Sequence, residues 1–127
     1  MLRVIIDSKN IASDETINGV NIQKVSLSNI VNNINRLMSF KKYLQKCLLE
    51  GDSIIIITFI DLYFMNKEVN SKIENLKIIN TTLTEKSTEL IINEIIKYKD
   101  ESLEYIDVKI KKLEEMLELI FISIIGY

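Results

Sequence analysis

The last quarter of the chain repeats apolar residues at alternating spacings of three and four: Leu103, Ile106, Ile110, Leu113, Leu117, Ile120 and Ile124. That spacing is the seam of a coiled coil, and a seam needs another helix to lie against. No polar residue interrupts it, so neither the number of helices nor their direction is specified. Met116, Leu119, Phe121, Ile122 and Ile125 make the final turns apolar nearly all round, a surface that one neighbouring helix does not cover. At ~2 kcal/mol for each of these side chains, burial supplies a driving force of order 10 kcal/mol before ordering costs. The expected interface is therefore the seam together with Phe121. The competing reading packs the same stripe on a sheet, or on Leu90, Ile91, Ile95 and Tyr98 of the same chain.

With 127 residues, 47% of them hydrophobic and 27% charged, the chain has the balance of a folded domain with a modest core and a helical extension. Its formal net charge of −2 divides unevenly: residues 1–82 carry ten Lys or Arg against eight acids, and residues 83–127 six against ten. Neither half attracts nucleic acid or anionic lipid by bulk charge. The lone cysteine, Cys47, excludes an intrachain disulfide, and the apolar run at residues 1–7 is too short for a signal peptide, which together predict a reducing, cytoplasmic setting. The apolar tail at residues 117–125 includes Glu118 and is about half the ~20 residues that a membrane span requires.

Residues 2–6 form a short β-branched run ended by the turn formers Asp7-Ser8-Lys9-Asn10, which predicts a hairpin with a return strand beginning near Ile11. Asn18-Gly19 is a second turn signal, of type I′, so the second strand lies at residues 10–12 or 20–25. Ser26 stands at an N-cap position before Leu27, Ile30, Val31, Ile34, Leu37 and Met38 at helical spacing, with Asn29, Asn32, Asn33, Asn35 and Arg36 on the polar side. Two apolar runs flank Glu50-Gly51-Asp52-Ser53 and predict a hairpin with strands near 43–49 and 54–57. Thr58 is placed to cap a short helix through Phe59, Leu62, Tyr63 and Met65, with Asp61 at its positive end, and a last strand is expected near residues 76–79. Thr82-Leu83-Thr84-Glu85 matches a capping box, and helix follows. One long helix, or two separated at Asp100-Glu101-Ser102, both satisfy the pattern.

The order of elements, carried by residues 2–6, the helix 26–38, the turn at Gly51 and residues 76–79, resembles the ubiquitin-like β-grasp fold. That resemblance implies an α+β domain at residues 1–81, in which one helix lies across a small mixed sheet, followed by a helical segment at residues 82–127. It also implies a docking surface. Conjugating members of that fold work through a flexible Gly-Gly, whereas this sequence reads Ile124-Ile125-Gly126-Tyr127.

Chemistry is restricted by what is missing. Without histidine the chain lacks the usual general base and the Ser-His-Asp and Cys-His arrangements. Cys47 beside Lys46 reads as a buried small apolar residue more readily than as a thiolate. Glycines at 19, 51 and 126 build no phosphate-cradling loop, and the acids Asp14-Glu15 and Asp100-Glu101 have no spacing that converges on a metal. No catalytic residue, metal ligand or cofactor site is expected, and Asp7, Glu50, Asp52 and Asp61 read as turn and cap residues. Arg36, Lys41, Lys42 and Lys46, with Phe40 and Tyr43 between them, form the one cluster that mixes charge with stacking faces, as a single-stranded nucleic-acid site does. The sequence thus predicts a non-catalytic protein that self-associates or docks to a partner through its last helix. The alternatives are an export chaperone of the secretion or motility type, which shelters a partner segment, and a weak nucleic-acid binder using residues 36–46.

Overall fold

The computed structural model describes residues 1–60, 62, 75–81 and 85–125, and for 85, 86 and 121–125 the backbone alone. The chain is α+β and divides into two compact units, Met1–Thr82 and Leu83–Tyr127. The first unit holds a mixed five-stranded sheet. Its strands are β1 (Leu2–Asp7), β2 (Ala12–Ile17), β3 (Val20–Val25), β4 (Ser53–Thr58) and β5 (Leu76–Asn80), in the spatial order β2-β3-β1-β4-β5.

Strand β1 lies at the centre, parallel to both β3 and β4, and β5 runs parallel to β4. The expected hairpin of residues 2–6 with a return strand at Ile11 is therefore corrected. Val4, Ile5 and Ile6 are all buried, and a strand covered on both faces takes parallel partners in the middle of a sheet instead of forming one arm of an exposed hairpin. The hairpin that does form joins β2 to β3 through Asn18 (φ 50°) and Gly19 (φ 82°), with Ile17 opposite Val20. These positive angles are the type I′ geometry that Asn-Gly favours. Strand β2 is an edge: five of its six residues are exposed, they include Asp14 and Glu15, and its register shifts between Ala12 and Glu15.

From β3 the chain crosses to β4 through two helices, α1 (Leu27–Val31) and α2 (Ile34–Leu49). One continuous helix over residues 26–38 was expected; Asn33 divides it, because its Oδ1 accepts from the N–H groups of Asn35 and Arg36, both at 3.1 Å, and recaps the chain. The break changes the phase of the apolar stripe. Leu27 stays buried, while Ile34 and Met38 turn outward. At the start of α1 the Ser26 hydroxyl makes no capping bond, and the Leu27 N–H donates instead to Asp7 Oδ1 at 3.2 Å.

Residues 43–49 form the second half of α2 and not a strand. Leu37, Phe40, Tyr43, Leu44, Cys47 and Leu48 recur at three and four, and all of them meet the core formed with Ile5, Ile54, Ile56 and Leu76. This nonlocal burial overrides the β preference of individual residues. Gly51, expected in a hairpin, closes α2 in a Schellman motif: its N–H donates to the Leu48 carbonyl (3.1 Å), Asp52 N–H donates to that of Cys47 (3.0 Å), and Gly51 takes φ 91°. Only a residue without Cβ sits comfortably there. Strand β4 spans the isoleucine run as expected, and β5 covers the last predicted strand.

Thr58 ends β4, where its hydroxyl accepts from Ile60 N–H at 3.0 Å and donates to the Ile60 carbonyl at 2.9 Å. Most of the short helix expected after it, including Asp61, Tyr63 and Met65, and the first three residues of the capping box at Thr82, lie outside the described residues.

The second unit is helical. Helix α3 (Glu85–Lys97) and helix α4 (Leu103–Ile125) are separate, so the two-helix alternative holds. Ser102 recaps the chain: its Oγ accepts from Tyr105 N–H at 3.2 Å, and its carbonyl accepts from Ile106 N–H at 3.0 Å. Around this connection Tyr98 and Tyr105 meet edge to face, with centroids 5.6 Å apart, and Lys109 Nζ lies 5.4 and 5.3 Å from the two ring centroids. No described helix is long and apolar enough to cross a membrane.

Candidate functional site

The expected seam is divided along α4. Ile106 and Ile110 are buried, Leu103, Leu113 and Leu117 are half-buried, and Ile120 is 53% exposed. The side chains of Phe121 and Ile124 lie outside the described residues. A helix of 23 residues exceeds its 13-residue neighbour α3 by ten, or about 15 Å at 1.5 Å per residue. Met116 and Leu119 are 58% and 65% exposed, and Tyr105 and Val108 are exposed as well. Apolar side chains thus leave two sides of α4: the seam, taken up over its first half, and an outer side bearing Val108 and Leu119.

Charge is also divided along this helix. Lys109, Lys111 and Lys112 precede Glu114, Glu115 and Glu118. Lys111 Nζ pairs with Asp107 Oδ2 at 3.1 Å, one turn back, with the acid on the N-terminal side as helix pairs prefer. Burial, followed by the like charges of Glu118 and Asp107, holds the Glu114 carboxyl above the usual range, against the pull of Lys111. Lys112 and Glu115 are exposed and form no ion pair with a described residue.

The residues singled out for nucleic acid do not converge. Lys42 and Lys46 share an exposed side of α2 one turn apart, while Arg36 and Lys41 diverge to its two flanks. The aromatic rings between them turn inward: Phe40 packs on the core, and the Tyr43 hydroxyl accepts from Arg3 Nη1 (3.1 Å) and Gln23 Nε2 (2.8 Å). Neither ring is free to stack on a base. Cys47 is buried in α2.

Tyr43 belongs to a polar network at the amino ends of the parallel strands. Arg3 Nε donates to Asp52 Oδ2 at 2.7 Å, and Asp52 Oδ1 lies 3.2 Å from the Met1 amino group. The Arg3 guanidinium holds the Asp52 carboxyl below its ordinary value, with burial opposing, while that hydrogen bond raises Arg3 further. Desolvation raises the Tyr43 hydroxyl. Each of these groups has a partner, and together they tie α2 to the sheet.

The opposite, carboxyl ends of the strands are less fully satisfied. Asp7 follows the Ile6–Ile57 pair and so stands beside Thr58, which is in register with Asn80. From β1 the chain runs to β3 on one side and then crosses to β4 on the other, and the carboxyl edge where connections part in this way is the usual place for a ligand in open α/β sheets. Asp7 is buried; its Oδ1 holds Leu27 N–H, and its Oδ2 accepts no hydrogen bond from a described residue. Among the described residues no three potential metal ligands cluster. Sequence reasoning assigned Asp7 to a turn; its position at the end of an unbroken apolar run was the signal for a central strand and its carboxyl edge.

No protein-family model, curated protein or solved structure matches the chain.

Proposed function

We propose that this protein acts without catalysis, as an interaction or assembly protein that self-associates through α4. One observation carries the reading: Met116, Leu119 and Ile120 are each more than half exposed on a helix that outlasts its neighbour. Apolar side chains grouped in this way on an otherwise charged helix are the composition of an interface centre with a polar rim. Sedimentation at two protein concentrations tests it. The weight-average mass rises with concentration for the wild type and stays monomeric for Met116→Lys/Leu119→Lys. A wild-type chain that remains a monomer throughout overturns the reading.

A polar-ligand site at the carboxyl edge is the second reading, favoured by the open oxygen of buried Asp7 at the point where the connections diverge. A carboxylate with one satisfied oxygen takes a hydroxyl or a hydrated divalent cation. Mn²⁺ is the probe. Paramagnetic broadening of the Ser8 and Thr58 amide signals is expected in the wild type and is abolished in Asp7→Asn, whose side-chain oxygen still accepts from Leu27 N–H. Equal broadening in both proteins removes this reading.

A further inference from the structure

We infer that two copies of the chain pair through the outer side of α4 in antiparallel orientation, with Val108 of each copy against Leu119 of the other and Lys112 against Glu115. This rests on the reading of α4 as a self-association surface and adds the face, the direction and the register.

Val108, Lys112, Glu115 and Leu119 follow one another at four, three and four residues, a second short heptad row on a side of α4 distinct from Ile106 and Ile110. All four are exposed, Val108 at 50% and Leu119 at 65%. Read from either end, the row runs apolar, charged, charged, apolar, with the two charges opposite in sign.

A two-fold interface must be self-complementary, since the same patch faces itself. Antiparallel pairing about the midpoint of this row brings Val108 to Leu119 and Lys112 to Glu115, twice over. Parallel pairing brings Lys112 to Lys112 and Glu115 to Glu115, which is repulsive at both layers. Lys112 and Glu115 form no ion pair with a described residue and are exposed, so both charges face the solvent from which a second copy approaches. A charged pair inside a heptad row fixes direction at some cost in affinity. The seam of Ile106 and Ile110 has no such residue, so the direction-setting information on α4 lies on its outer side.

Disulfide trapping in a Cys47→Ala background, which removes the buried thiol without placing a hydroxyl in the core, tests the geometry. Mixed under mild oxidation, Val108→Cys and Leu119→Cys chains cross-link to each other in preference to themselves. Self-links within either variant mean parallel pairing and overturn the inference; so does a dimer that forms neither product, which leaves self-association through another surface. Charge reversal supplies a second readout that does not depend on cysteine. Lys112→Glu or Glu115→Lys alone raises the dimer dissociation constant about tenfold, and the double reversal returns it to within about twofold of wild type. A double variant as weak as either single also overturns the pairing. A wild-type chain that is monomeric throughout fails the underlying proposal and this one together.

Discussion

Replacing Leu44 with alanine lowers the unfolding free energy by about 2–5 kcal/mol, the range for removing a fully buried leucine from a core that closes only partly around the gap. Leu44 has no exposed surface and meets the cluster of Ile5, Ile54, Ile56 and Cys47. Five residues on, Leu49 is 88% exposed, and Leu49→Ala changes stability by less than about 0.5 kcal/mol. Urea midpoints of the two variants measure the contrast. In a strand over residues 43–49, alternation by two would set Leu44 and Leu49 on opposite faces, with Leu44 aligned with Lys46 and Leu48. In a helix Leu44 aligns with Cys47 and Leu48 instead. A Cys47→Ser variant that costs nothing, beside a costly Lys46→Ala, would reject the helix.

Arg3→Met is the second large effect, a loss of about 2 kcal/mol near neutral pH, because it leaves the largely buried Asp52 carboxylate with the Met1 amino group as its remaining ionic partner among the described residues. The double variant Arg3→Met/Asp52→Leu loses less than Arg3→Met alone, since the half-satisfied buried carboxylate is gone and the Met1 amino group, which is much more exposed, turns to water. The same contact sets a pH dependence. Asp52 in the fold has a carboxyl pKa below its unfolded value, so its stabilisation is fully present above about pH 4 and is lost as pH falls through the lowered folded value. Arg3→Met raises that folded value towards normal, and the fall in melting temperature below pH 4 becomes shallower. Thermal melts between pH 2 and 7 check the sign. An acid limb as steep in the variant as in the wild type would show that Asp52 owes its acidity to something other than Arg3.

What could be read from the residues depended on how local the cause was. The isoleucine run of β4, the residues of β1 and β5, and the Asn18-Gly19 turn are set by neighbours within a few positions, and they stand where the pattern placed them. Partners of β1 were not legible, because burial on both faces is decided by elements many residues away. The change of phase at Asn33 carried a local signal, an asparagine before a helical stripe, but the competing cap at Ser26 concealed it. Ser26 in turn yields to Asp7, twenty residues upstream, and no window reading reaches that far. Along α4 the heptad spacing identified a helix correctly while leaving open which of its sides would be covered. Spacing records what a helix could pack against; only three-dimensional neighbours decide what it does pack against.

The register shift and the two acids in β2 have a consequence for the open margin of the sheet. A flat, bare margin of amide and carbonyl groups invites another molecule to add its own strand, and repeated addition ends in fibrils. Here the shift between Ala12 and Glu15 interrupts that template, and Asp14 and Glu15 repel their counterparts on an incoming copy. Growth by strand addition is therefore discouraged along this border.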